Sequence, residues 1–88
     1  MAELIKSSGR KRNVTPKNET DFKLEELQKY VGGNIQIVGT NDNRLMIINE
    51  EGKIFNLNYN RRATKLYEFG GRDIILGDVL VIDKNQIL

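Results

Sequence analysis

The sequence predicts an α+β domain: a small, mostly antiparallel sheet with two short helices, in the order β-β-α-β-β-(β)-α-β. Three observations lead there. Two segments carry apolar residues at helical spacing and end in glycine, at Gly32 and at Gly70-Gly71. The other apolar residues fall in short runs between turn-forming clusters, the pattern of short strands. The length of 88 residues fits one domain over 1–88, with a basic segment at 1–20 and a main body at 21–88.

Each element has its own signal. Residues 3–6 and 10–15 are extended candidates around the turn Ser7-Ser8-Gly9. They read as a hairpin or, on composition alone, as a flexible basic arm. Pro16 stops regular pairing there. Residues 22–31 read as a helix with Leu24, Leu27 and Val31 on one face. Asp21 or Thr20 is the expected cap, Glu25 and Glu26 suit the first turn, and Gly32 ends it. Ile35 to Gly39 and Leu45 to Asn49 flank Thr40-Asn41-Asp42-Asn43 and predict an antiparallel hairpin. Leu45-Met46-Ile47-Ile48 is apolar on both faces, so that strand belongs inside a sheet covered on both sides. After the turn Glu50 to Lys53, Ile54 to Leu57 reads as a short strand. Residues 60–69 read as the second helix, capped by Asn60, with Ala63, Leu66 and Tyr67 inward. Residues 74–76 and 79–83 are the last strands, joined through Gly77-Asp78.

Composition narrows the function. There is no His, Cys or Trp. That removes the commonest general base, the thiolate nucleophile and Cys-type metal sites, so a non-enzymatic protein without a cofactor or metal is expected. No apolar run approaches the roughly 20 residues of a membrane span. Met1 to Lys6 lacks the apolar stretch of a secretory signal, which sets the expectation of a cytoplasmic protein. A chain this short buries a modest share of its surface, so a homo-oligomer is expected. The net charge of +2 is uneven: residues 1–20 carry +3 and residues 21–88 carry −1.

Five ordered segments resemble one family. They are Leu24-Glu25-Glu26-Leu27-Gln28 with Val31-Gly32-Gly33, Ile35 to Val38, Asn49 to Lys53, Leu57-Asn58-Tyr59-Asn60-Arg61-Arg62-Ala63-Thr64, and Ile74 to Val81. The chain resembles domain of unknown function 3846, small proteins of phages, prophages and gut bacteria. Asn58 stands where that family often has Pro, and Lys23 where it often has a Ser or Thr cap. The resemblance implies an extended pair at the N-terminus, favouring the hairpin. It carries no activity. It implies a phage or mobile-element setting, in the host bacterial cytoplasm, where many proteins of this size block host defence.

The candidate ligand segment is Tyr59, Asn60, Arg61, Arg62 and Thr64. Two arginines in the first turn of a helix oppose the macrodipole, which makes sense if a phosphate sits between them and the helix end. Thr64 would add a hydroxyl, and Tyr59 would stack on a base or pack as a hydrophobic staple. Alternatively Asn60 merely caps the helix and the arginines pair with Glu50, Glu51 or Asp73. The expected function is an anti-defence sponge that sequesters a nucleotide-derived signalling molecule. A second expectation is a nucleic-acid-binding accessory protein using Lys6, Arg10, Lys11 and Arg12, which also read as a charged edge strand that resists aggregation. A third is an inhibitor that binds a host protein. Glu50, Glu51, Asp73, Asp78 and Asp83 read as turn carboxylates rather than metal or acid–base groups.

Overall fold

The computed structural model describes residues 2–86. The ends of the expected single domain, residues 1, 87 and 88, lie outside the described residues. The elements are β1 (Ala2–Ile5), β2 (Lys11–Val14), α1 (Leu24–Val31), β3 (Ile35–Gly39), β4 (Leu45–Asn49), α2 (Arg61–Leu66) and β5 (Val79–Ile82), then a 3₁₀ turn at Lys84–Gln86. The strands form one antiparallel sheet in the order β2-β1-β5-β4-β3. The α+β class and the element order match the sequence reading.

Residues 1–20 hold a hairpin rather than an arm. Lys6 N–H donates to Arg10 O at 2.8 Å, and Gly9 takes the left-handed conformation, φ 97°, that closes the turn. In the pairing, Leu4 faces Arg12 and Ile5 faces Lys11.

Both faces of the sheet are covered, and strand alternation sorts the core into two layers. On one face Ala2, Leu4, Val14, Ile47, Leu80 and Ile82 pack with Phe22, Leu27 and Val31 of the α1 region. On the other, Ile5, Met46, Val79 and Val81 pack with Ala63 of α2 and with Ile75. β5 is therefore buried along its whole length, and β4 is an interior strand as its apolar run required.

Several boundaries differ from expectation. α1 is capped at Lys23, not at Asp21 or Thr20. The Asn18 side chain holds those two residues in a turn by accepting from both their N–H groups. Glu26 Oε1 compensates by accepting from Lys23 N–H at 3.2 Å. Leu27 and Val31 are buried, but Leu24 is 54% exposed, and Tyr30 of the helix packs edge to face on Phe22 instead. No strand forms at 54–57. Successive turns closed by Phe55 N–H to Glu51 O and Leu57 N–H to Gly52 O, with Asn56 at φ 53°, leave Ile54 and Phe55 in solvent.

α2 ends at Leu66, not at residue 69. Tyr67 is already extended and bridges Thr40 across from β3. Gly70-Gly71 is thus not the helix terminator. Gly70 instead lies so close to the Thr64 carbonyl that a Cβ there would clash with its oxygen. Residues 74–76 form no regular strand. Leu76 makes a single bridge to Tyr59, and Gly77 N–H donates to Asn58 O at 2.7 Å. Gly77 has φ 85° and sits against Leu57, so a side chain there would be strained and crowded.

Candidate functional site

α2 is too short to roof its whole face of the sheet. Beside it the outer β1–β2 pair is left open, and a cleft of about 600 Å³ results. Alternation along β1 sends Glu3 to the α2 face with Ile5, and Lys11 opposite Ile5 joins them on the floor. Arg44, which leads into β4, completes the floor. The wall is α2 itself, presenting Arg61, Arg62, Lys65 and Leu66. Arg61 and Lys65 lie one helical turn apart, as do Arg62 and Leu66, so one short helix supplies three of the cations.

Five cationic side chains thus line the cleft against one carboxylate, Glu3. The floor cations are compensated. Glu3 meets Lys11 Nζ at 3.6 Å and Arg44 Nη1 at 3.3 Å. Arg44 is further held by Asp42, with Nη2 to Oδ2 at 2.6 Å and Nε to Oδ2 at 3.0 Å. Thr40 Oγ1 donates to Asp42 and accepts from Arg44 N–H, so the loop braces its own ion pair. The Arg44 hydrogen bond, then that of Thr40, lowers the Asp42 carboxyl to about 2, and the same pairing raises Arg44. The wall cations differ. Among the described residues Arg61, Arg62 and Lys65 make no ion pair. The expected alternative, pairing of the arginines with Glu50, Glu51 or Asp73, does not occur among the described residues, and Asp73 takes Lys53 Nζ at 2.7 Å instead.

The structure separates the ligand segment read from the sequence. Arg61 and Arg62 face the cleft. Asn60 does not, because it is fully buried and every polar group is engaged. Its Nδ2 donates to Ile5 O at 3.0 Å and Gly77 O at 2.9 Å, and its Oδ1 accepts from Ala63 N–H at 3.0 Å. Thr64 is also buried. Its hydroxyl donates to Asn60 O at 2.8 Å and accepts from Ile75 N–H at 2.9 Å. Both residues knot α2 to β1 and to the 75–77 segment, and neither offers an atom to a ligand. Tyr59 is half exposed, but it sits at the bridge to Leu76 and does not line the cleft.

The second set of basic residues divides by strand face. Lys6, Arg10 and Arg12 surround a separate depression of about 220 Å³ beside Leu4. Lys11 lines both depressions and links them across the hairpin. Sequence reasoning missed Lys11, Arg44 and Lys65 as partners of the arginines. Lys65 was legible as one turn after Arg61. Arg44 and Lys11 come together with α2 only through the strand order.

Of the residues read as turn carboxylates, Asp73 bonds to its own turn and to Lys53, whereas Asp78 reaches across the chain to the turn of the β1–β2 hairpin rather than closing its own. Asp78 Oδ1 accepts from Ser7 N–H at 2.9 Å, and Asp73 accepts from Ile74 N–H at 2.8 Å. The Lys53 hydrogen bond lowers the Asp73 carboxyl. Among the described residues no group of three Asp or Glu side chains is placed to hold a metal ion, and no helix is long and apolar enough to cross a membrane.

No curated protein and no solved structure matches the chain. The family model Domain of unknown function (DUF3846) matches residues 4–86, nearly the whole length. The resemblance carried by the five sequence segments is therefore confirmed, and the chain belongs to the DUF3846 family.

Proposed function

We propose that this protein is a non-enzymatic binding protein whose cleft between α2 and the β1–β2 hairpin takes a phosphate-bearing small molecule. One observation carries the reading: Arg61, Arg62 and Lys65 converge on the cleft without any acidic partner among the described residues. Guanidinium groups bind phosphate through paired hydrogen bonds, and an uncompensated cluster at a concave surface attracts anions. The volume falls within the roughly 300–1,000 Å³ of small-molecule sites. The non-enzymatic part rests on the missing His and Cys.

The finer form of the proposal is sequestration of a nucleotide-derived signal in a bacterial cytoplasm by a phage or mobile-element protein. It is supported by the setting that the family resemblance implies and by the chemistry of the cleft. A homo-oligomer belongs to the same reading. Its support is the exposed apolar side chains Ile54, Phe55, Phe69 and Ile74, carried on two segments that the Lys53–Asp73 ion pair ties together. A thermal-shift screen against nucleotides and cyclic nucleotides tests the binding. Stabilisation by at least one of them, lost in Arg61→Ala/Arg62→Ala, is expected. No shift with any would refute it.

A second reading draws on Lys11, which joins the cleft to the depression of Lys6, Arg10 and Arg12. A nucleic-acid strand crossing the hairpin would use both. Four phosphate contacts from this group give a slope of log K on log salt near about −3.6 for duplex DNA. A flat salt response removes this alternative.

A further inference from the structure

We infer that Glu3 selects the ligand: the cleft takes phosphate esters that also carry hydrogen-bond donors, and discriminates against bare phosphate anions. The inference rests on the reading of the cleft as a phosphate site and adds the chemistry of the ligand's other end.

The cleft has two chemically distinct regions. Its helical wall carries three unpaired cations, Arg61, Arg62 and Lys65. Its floor carries a carboxylate held from two sides, with Oε1 against Arg44 and Oε2 against Lys11. An ionised carboxylate is an acceptor only, so its complement on a ligand is a hydroxyl or an amine. A site for phosphate or pyrophosphate alone would gain nothing from a negative charge on its floor, since like charges repel.

Glu3 cannot easily leave. Its backbone lies inside the sheet, paired with Asn13 on one side and Val81 on the other. Its side chain is 27% exposed, so it remains reachable from the cleft. Arg44 is in turn fixed by Asp42, which keeps one side of the clamp in place. The cleft is also far roomier than one phosphate requires, leaving space between wall and floor for an organic body. A phosphorylated sugar and a nucleotide share this chemistry: phosphate toward the wall, donor groups toward Glu3.

Titration calorimetry on the full chain separates the possibilities, with inorganic phosphate, pyrophosphate, ribose 5-phosphate and adenosine 5′-monophosphate as probes. The wild type is expected to bind at least one ester about tenfold or more tightly than pyrophosphate, the scale of one hydrogen bond to a charged group. Ribose 5-phosphate suffices if the donors are sugar hydroxyls, whereas binding of the nucleotide alone assigns them to the base. Glu3→Gln is expected to weaken the ester by a similar factor and to strengthen pyrophosphate. Glu3→Asp keeps the charge and withdraws it by one methylene, so it should weaken the ester without strengthening pyrophosphate. If pyrophosphate binds the wild type as well as either ester, or if Glu3→Gln strengthens all probes alike, Glu3 is only a counter-ion; the proposal fails and the phosphate cleft stands. If none of the four binds the wild type, the phosphate reading falls and this inference with it.

Discussion

Asn60 shows how a residue read as a ligand group serves as a joint. Its side chain satisfies Ile5 O, Gly77 O and Ala63 N–H, three backbone groups from three parts of the chain. Asn60→Ala removes a helix cap and leaves two buried carbonyls bare. A loss of about 2–4 kcal/mol is expected from chemical denaturation. Thr64→Val leaves the Ile75 N–H without its acceptor, and a loss of about 1–3 kcal/mol is expected by the same measurement. Asp42 gives a pH signature. Its carboxyl sits at about 2 against an ordinary 3.8, so its contribution is complete above about pH 4 and is lost as pH falls through about 2. The side chain is 44% exposed, which limits the effect to under about 1 kcal/mol. The difference in urea midpoint between the wild type and Asp42→Asn should shrink over that range. Asn60 was legible as a cap from its place before Arg61. Its two long-range bonds were not, since nothing local to residue 60 points to Ile5 or Gly77.

At the scale of elements, α2 separates stability from binding. Its cations crowd the first turn, where the macrodipole favours acids, and no acid stands there. Arg61→Ala/Arg62→Ala should therefore leave stability unchanged or raise it by about 0.3–1 kcal/mol per residue, while abolishing anion binding. Thermal unfolding and a binding titration on the same sample check both halves. The helix itself was legible, but not its end. Tyr67 carries helical spacing, yet its bridge to Thr40 and the close approach of Gly70 to Thr64 draw the chain away after Leu66. The apolar pattern at 54–57 misled for a similar reason. Ile54 and Phe55 look like strand residues, but turns closed onto Glu51 and Gly52 win.

Over the whole molecule, the two-faced sheet follows directly from residues that the sequence displays. Strands apolar on both sides, such as Leu45 to Ile48 and Val79 to Ile82, need a layer on each face, and α1 and α2 supply them. The cleft was only half legible. Two of its cations are adjacent in sequence, but Lys11 and Arg44 reach it because β1 pairs with both β2 and β5. The bulk charge is no guide, since four of the five cleft cations lie in the body that carries −1. The exposed loops make a prediction at this scale: sedimentation velocity should show concentration-dependent self-association, abolished by Ile54→Ser/Phe55→Ser. A monomer at all concentrations would remove the oligomer from the account.

The central claim is that the unpaired wall cations of α2 make this cleft a phosphate site. Titration calorimetry of the wild type and of Arg61→Ala/Arg62→Ala/Lys65→Ala against nucleotides and cyclic nucleotides tests it most directly. Saturable, salt-sensitive binding of at least one of them by the wild type and none by the triple variant is expected, at an unfolding temperature no lower than that of the wild type. Equal binding by both proteins, or by neither, would contradict it.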